Sequence, residues 1–526
     1  MGCNGSSAKK DLKMKALMYK EKRKGHDPNS QLIMNAYHFP LLENQFVMKA
    51  STHVFDPYEV MERLGKGGFA TVRLAKYKGI NEYMFAMKSM RKVVDEVDMT
   101  SSIINELNLL NKLDHPNIAN FNEAYQEDEY IHAILEFSPG KSLAQLYSEL
   151  KEPLPLIDTL KIFYQIFKTA AYLMKKKIIH RDYKPPNIMV EKTQNSDYFG
   201  YQIQLIDFGF SRTYQDSLND KMVMGSPHYV APESLNQEYS YSADVWSIGI
   251  MLYFSICFRY PFEDTDEEEL FRKIQEQELS FHPKETWDTV PEELKDLVKM
   301  MLEKDPMKRI HIKDIPVHPA FKQIHEIEDS VTITEENRDK LSRYFTRLNA
   351  MERKFLKYST KFLCPSAKTE YCEKFTLLDK NNTGTLNFFP DSPKTNYMES
   401  DTSKGNSDSL EVSKESQKYY KVTYSDYLAA IIHHDVICGE VNVELLFHTL
   451  NPAYMTDIVM KNEMRDALFL GNNNKKEEKM FDKLKCKTRS GKEVISKEWV
   501  MDYYDKIYKK LDRDPDESES SDEEST

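Results

Sequence analysis

Cysteine is scarce, with six residues in 526, scattered and never in a CxxC pair. That usage fits reduced thiols in a cytosolic protein and argues against a disulfide framework. Long apolar runs are missing too. The longest, WSIGIMLYFSICF (246–258), is too short to span a bilayer and suits a buried core helix. No secretory signal peptide is evident. Positive charge is in deficit, with a formal net charge of −12, which excludes general nucleic-acid binding. Much of that deficit is local. Asp512–Thr526, DRDPDESESSDEEST, carries eight acids against one Arg and reads as a disordered acidic tail. Tandem repeats are not plain.

What is present allows sizeable cores. Hydrophobic residues make up 40%, with 31 Tyr and 27 Phe, and the length accommodates roughly two to four domains. Residues 1–57 form an acylation signal, a basic segment and a linker. MGCNGS fits the myristoylation pattern at Gly2, with Ser6 in place and Cys3 open to palmitate. The basic stretch KKDLKMKALMYKEKRK (9–24) follows. One acyl chain binds marginally, so a second chain or a basic patch is needed for stable anchoring, and both are offered. The expectation is a cytoplasmic protein held peripherally on a membrane surface.

From 58 to 321 the chain alternates strand-like and helical stretches, as in EYMFAMKSM (82–90) followed by IINELNLLNKL (103–113). LGKGGFATV (64–72) places Gly65 and Gly67 where backbone amides can approach phosphates. FAMK puts Lys88 in a strand, and Glu106 on the next helix can pair with it. HRDYKPPN (180–187) offers Asp182, Lys184 and Asn187 on one loop, and DFG (207–209) adds Asp207. APE (231–233), DVWSIG (244–249) and Arg309 complete the series. Phosphoryl transfer needs phosphates held, charge neutralised by lysine and magnesium, and a carboxylate to take a hydroxyl proton. One such motif arises by chance; the ordered set does not.

Residues 58–321 therefore resemble a eukaryotic Ser/Thr protein kinase domain. The resemblance implies that Lys88 holds the α/β-phosphates of ATP, fixed by Glu106. Asp182 is the implied catalytic base, and Lys184 contacts the transferred phosphate. Asn187 and Asp207 ligate Mg2+. Leu64, Gly65, Gly67, Val72, Ala86 and Leu135 line the nucleotide site, with Glu136 and Ser138 in the hinge. Phe210, directly after DFG, leans in the family towards serine acceptors. Asp244 and the pair Glu233–Arg309 read as structural, and His180 as a packed core residue. Three positions depart from the family: Ala70 replaces a third glycine, and Ser142 and Pro186 stand where relatives often carry glutamates that read basic substrates.

Beyond 321 the reading changes. ENRDKLSRYFTRLNAMERKFLKYSTKF suggests one helix from about 335 to 362, with Leu341, Tyr344, Phe345, Leu348, Met351 and Phe355 on an apolar face. Residues 363–511 are helix-rich, with a Ser-, Asp- and Lys-rich insertion near 390–415. DKNNTGTLNFFP (379–390) follows the EF-hand loop until its last place, where Pro390 stands for the bidentate glutamate. With FTRLNAMERKFLK (345–357) and VTYSDYLAAIIHHD (422–435), these features resemble a calcium-dependent protein kinase of the plant, ciliate and apicomplexan type.

That resemblance implies an α+β bilobal protein kinase fold followed by an all-α, calmodulin-like EF-hand domain. The segment 322–362 becomes an autoinhibitory junction helix, 363–511 a degenerate EF-hand-like domain, and 512–526 the acidic tail. Lys340, Arg343 and Arg347 are placed to block the acidic mouth of the active site. Asp379, Asn381, Thr383 and the carbonyl of Thr385 are a weak or vestigial Ca2+ set. Loops 415–426, 451–462 and 487–498 are poorer still. The expected protein is a monomeric kinase of protein substrates. Two alternatives stay open: a genuinely calcium-activated kinase, with Asp391 filling the missing ligand place, and a pseudokinase scaffold.

Overall fold

The computed structural model describes residues 49–50, 58–80, 83–193, 198–217, 226–390, 419–437, 439–450 and 458–461. It also describes scattered positions from 464 to 484, then 486–489 and 492–512. Gly2, Cys3, the basic stretch 9–24, most of the 390–415 insertion and the tail beyond Asp512 lie outside the described residues.

Two compact units make up the chain. The first runs to Val331 and also includes Cys364–Thr383; the second takes Thr332–Leu363 and the chain from Gly384.

In the first unit, strands β1 (Tyr58–Lys66), β2 (Ala70–Tyr77) and β3 (Met84–Arg91) lead to helix α1 (Thr100–Asn111). Strands β4 (Phe121–Gln126) and β5 (Tyr130–Glu136) follow. The sheet order is β4-β5-β3-β2-β1, all antiparallel, with Lys49–Ala50 added in parallel beside β4. At one end of this small lobe the buried Glu123 carboxylate accepts hydrogen bonds from Tyr58, from Tyr77 (2.8 Å) and from Tyr125 (2.8 Å). Three phenolic donors satisfy an acid that burial would otherwise leave unsolvated.

The large lobe is mainly helical. It contains α2 (Leu143–Glu149), α3 (Leu156–Lys175), the hairpin β6 (Ile188–Lys192) and β7 (Tyr201–Leu205), and α4 (Tyr241–Cys257). Helices α5 (Glu267–Glu276), α6 (Glu292–Met301) and α7 (Lys322–Ser330) follow. The apolar run at 246–258 lies within α4 and its cap, buried on nearly every side, as its composition requires. It ends at Phe258, whose left-handed conformation (φ 53°) stops the helix.

The segment expected as one junction helix is two: α8 (Glu335–Arg347) and α9 (Ala350–Ser359). Leu348 is extended (ψ 137°), and Asn349 caps α9 by accepting from the amides of Met351 and Glu352. Glu352 reaches back to the Asn349 amide at 2.9 Å, completing a reciprocal capping box that starts a new helix. All six apolar positions named for the single helix are nevertheless buried. Helix α10 (Pro365–Leu378) belongs to the first unit.

The second unit is not all-α. Strands β8 (Thr385–Phe388) and β9 (Tyr420–Thr423) pair antiparallel before α11 (Tyr424–Ile431) and α12 (Glu440–Leu450). Strands β10 (Ile458–Met460), β11 (Lys487–Arg489) and β12 (Lys492–Ser496) form a second sheet, and α13 (Lys497–Asp512) closes the described chain. Helix α8 packs on α11 and α13, and α9 on α11 and α12. Among the described residues no helix is long and apolar enough to cross a membrane.

Candidate active site

Lys88 sits on β3 opposite Val72, and Ala86 sits opposite Leu135, so the register of three strands brings these positions together. The Lys88 ammonium donates to Glu106 of α1 at 2.5 Å and to Asp207 at 2.9 Å. Burial works against its charge, but Asp207 and Glu106 outweigh that and raise its pKa above the lysine range. Asp182 is buried and pairs with Lys184 at 2.9 Å. Burial raises its carboxyl above the ordinary value, with Lys184 pulling it back. The Asn187 amide nitrogen donates to the Asp182 carbonyl (2.8 Å) and carboxylate (2.9 Å), which leaves its own oxygen to serve as a metal ligand.

The loop that carries Asp182 is anchored from beneath. The Asp244 carboxylate on α4 accepts from the amides of His180 (2.9 Å) and Arg181 (2.8 Å). Burial raises the Asp244 pKa to about 7, against those two amides. Arg181 is held at φ 66°, and its Nε donates to the Phe210 carbonyl at 2.8 Å. Glu233 and Arg309 form a buried bidentate pair at 2.5 and 2.9 Å. His180 is packed between Tyr183 and Phe208, and burial lowers it to about 4, so it stays neutral.

Gly67, Lys88, Glu106, Asp182, Lys184 and Asp207 line one cavity of about 170 Å³. Leu64, Gly65, Val72, Ala86, Leu135, Glu136, Ser138 and Asn187 do not line it. A side-chain carbon added at Gly65 would meet nothing within 4 Å, and at Gly67 only the Ala70 carbonyl at 3.7 Å. Internal packing does not require these glycines, and the space above them suits a ligand. Three carboxylates and two lysines around that space, with Asn187 bonded to Asp182 behind it, fit a nucleotide's phosphates with Mg2+.

Sequence reasoning missed two partners. Ser226 Oγ stands 3.3 Å from Lys184 Nζ, and Lys368 of α10 donates to the Glu136 carboxylate. Neither sits in a motif that marked it beforehand.

The calcium candidates are arranged differently. Asp379 is buried and accepts from the Thr383 amide (3.0 Å) and hydroxyl (3.2 Å), so the first and fifth places of the loop bond each other. The Asn381 carbonyl accepts from Lys175, and Thr385 lies in β8 opposite Thr423. Asp426, the terminal acid of 415–426, bonds Lys357 (3.2 Å) and Tyr344 (3.1 Å) and caps α11. In 487–498, β11 pairs antiparallel with β12. Lys461 is buried among the carbonyls of Asp482 and Leu484, both at 2.8 Å, and the Glu493 carboxylate at 3.3 Å. Among the described residues no group of three or more His, Cys, Asp and Glu side chains is arranged to hold a metal ion.

The protein kinase domain family matches residues 58–321, half of the sequence. The chain belongs to the protein kinase family. The domain is of the serine/threonine type. A probable myosin light chain kinase of Dictyostelium discoideum is 34% identical over 52% of this chain and 55% of its own. Calcium-dependent protein kinase 5 of Plasmodium falciparum is 30% identical over 53% and 48%. Calcium-dependent protein kinase 25 of Arabidopsis thaliana is 30% identical over 70% and 68%. Against the first two, the chain spans about half of the relative's length.

Proposed function

We propose that the chain is an ATP-dependent serine/threonine kinase of protein substrates, with an EF-hand-like control region that works without calcium. One observation carries the catalytic half: Lys88, Glu106 and Asp207 are bonded together across the same cavity that Asp182 and Lys184 line. Lys88 grips the α/β-phosphates, and Lys184 steadies the phosphoryl group in transit. Asp182 receives the proton of the attacking hydroxyl. Asn187 and Asp207 hold Mg2+, whose charge offsets that of the phosphates. Gly65 and Gly67 admit the phosphates to the backbone amides. Leu64, Val72, Ala86 and Leu135 enclose the adenine, which bonds the backbone of Glu136 and Ser138. The completeness of this set disfavours a scaffold without catalysis.

The control half draws on the resemblance to calcium-dependent protein kinases and on who occupies the oxygens. Calcium wants six to eight oxygen ligands, mostly anionic. Here the decisive twelfth places fail: Pro390 offers no side-chain oxygen, and Asp426 is bonded to the Lys357 ammonium. Arg343 and Arg347 donate to carbonyls at the end of α13, where a cation complements the helix dipole. Inhibition in cis by the junction helices requires those arginines to leave.

The test is phosphoryl transfer by the full chain with calcium and with chelator, beside Asp182→Asn and Lys88→Met. Activity should be equal in both conditions and fall by roughly 10²–10⁴-fold in Asp182→Asn. A sharp calcium activation curve overturns the control half; full activity in both variants overturns the kinase. Membrane attachment through acyl groups at Gly2 and Cys3 is a further part of the proposal, checked by fractionating the wild type against Gly2→Ala.

A further inference from the structure

Glu136 ends β5 and opens the segment that joins the two kinase lobes. Its amide donates to the Asn120 carbonyl at 2.9 Å, which fixes its backbone to the chain entering β4. Its side chain is buried and fully engaged. Oε2 accepts from the Asn120 amide (3.1 Å) and from Asn120 Nδ2 (2.8 Å), and Oε1 accepts from the Lys368 ammonium. Lys368 is only 3% exposed at its side chain and lies 232 residues further along the chain.

The segment carrying Lys368 is also tied at its other end. Lys380 pairs with Asp329 of α7 at 2.7 Å, and Lys175, the last residue of α3, donates to the Asn381 carbonyl. Between these ties α10 buries Cys372, Phe375, Leu377 and Leu378. Residues 365–383 thus form a strap within the kinase unit, from the hinge to the large lobe. Exposed ion pairs do little, but one that is fully desolvated holds position, because breaking it leaves a charge buried without its partner.

We propose that Lys368 is a positioning residue of the nucleotide site. It fixes the Glu136 carboxylate, and through it the backbone of the first hinge residue, against which the adenine bonds. The strap is then part of the nucleotide-binding machinery. This rests on the kinase reading above and deepens it.

The experiment uses the full chain, with Lys368→Met, Lys368→Arg and Lys368→Met combined with Glu136→Gln. KM for ATP, kcat, ATP affinity by calorimetry and the melting temperature without nucleotide are measured for each. Lys368→Met should raise KM and Kd for ATP by roughly tenfold while kcat changes little, the pattern of lost uniform binding. Lys368→Arg should keep most of the affinity. The double variant, which removes the stranded charge, should recover part of it even if Lys368→Met alone does not fold. Unchanged ATP affinity in Lys368→Met, or a fall in melting temperature without a change in KM, overturns the proposal and leaves the kinase standing. A wild type that neither binds ATP nor transfers phosphate overturns the kinase reading itself.

Discussion

Asp182 must be ionised to receive a proton, yet burial pushes its carboxyl above the usual carboxylate range. Lys184, at 2.9 Å, is the strongest influence holding it down. The protonated form is inactive, so activity falls as pH drops through that raised value, and the acid limb of kcat lies above an ordinary aspartate. Lys184→Met removes the compensating cation, so the limb should move further upward, in addition to any loss of kcat. A pH profile of both proteins at saturating ATP checks this. A limb that stays in place would mean that another group titrates. The residues of this site were legible because they come in short loops with fixed spacing: Asp182, Lys184 and Asn187 share six positions. Lys368 was not legible. It is one lysine in a mixed helix, and only the docking of α10 buries it beside Glu136.

Periodicity found the buried face of the junction segment but not its break. Leu341, Tyr344, Phe345, Leu348, Met351 and Phe355 keep their three- and four-residue steps across the gap, so a sum over apolar positions cannot see it. The signal is local: Asn349 followed three residues later by Glu352 is a helix start. Helix α2 shows how an element can bear on specificity. Ser142 caps it, accepting from the Gln145 amide at 3.1 Å while Gln145 bonds back to the Ser142 amide at 2.8 Å. Pro186 is exposed. Neither supplies the carboxylate with which relatives grip an upstream arginine. The acids at 263–269 are partly engaged elsewhere: Asp264 pairs with Lys273 at 2.8 Å, Asp266 caps α5, and Glu269 pairs with Arg272 at 2.6 Å. A positional peptide library should therefore show weak selection for arginine two and three residues before the serine. Ser142→Glu with Pro186→Glu should create that selection, each charge-assisted bond being worth roughly 1.5–3 kcal/mol. Losing the Ser142 cap should cost the variant about 0.5–2 kcal/mol of stability, read as a lower melting temperature. Strong arginine selection by the wild type would defeat the argument.

At the scale of the whole molecule, each unit has its own way of holding a segment the sequence places between them. The first unit takes 364–383 as its strap, and the second buries 332–363. No change of composition marks those boundaries, because they follow from tertiary docking and not from local pattern. Within the second unit α8 and α9 lie against α11, α12 and α13, with Phe345 stacked on Tyr420 at 4.7 Å and Phe355 against Tyr504 at 5.1 Å. Removing everything after residue 362 strips that cover. It exposes the apolar faces of α8 and α9 and frees Arg343 and Arg347 from the end of α13, leaving an adhesive, basic segment that is free to bind the kinase domain. A chain ending at 362 should accordingly be several-fold less active than one ending at 325, since inhibition in cis costs only a few kcal/mol of differential binding. Both truncations lack the 365–383 strap, so any weakening of ATP binding is common to the pair, and the comparison isolates the junction helices. Steady-state rates at saturating ATP decide it. Equal rates for the two truncated chains would show that α8 and α9 do not inhibit, and that the second unit holds them for some purpose other than control of the active site.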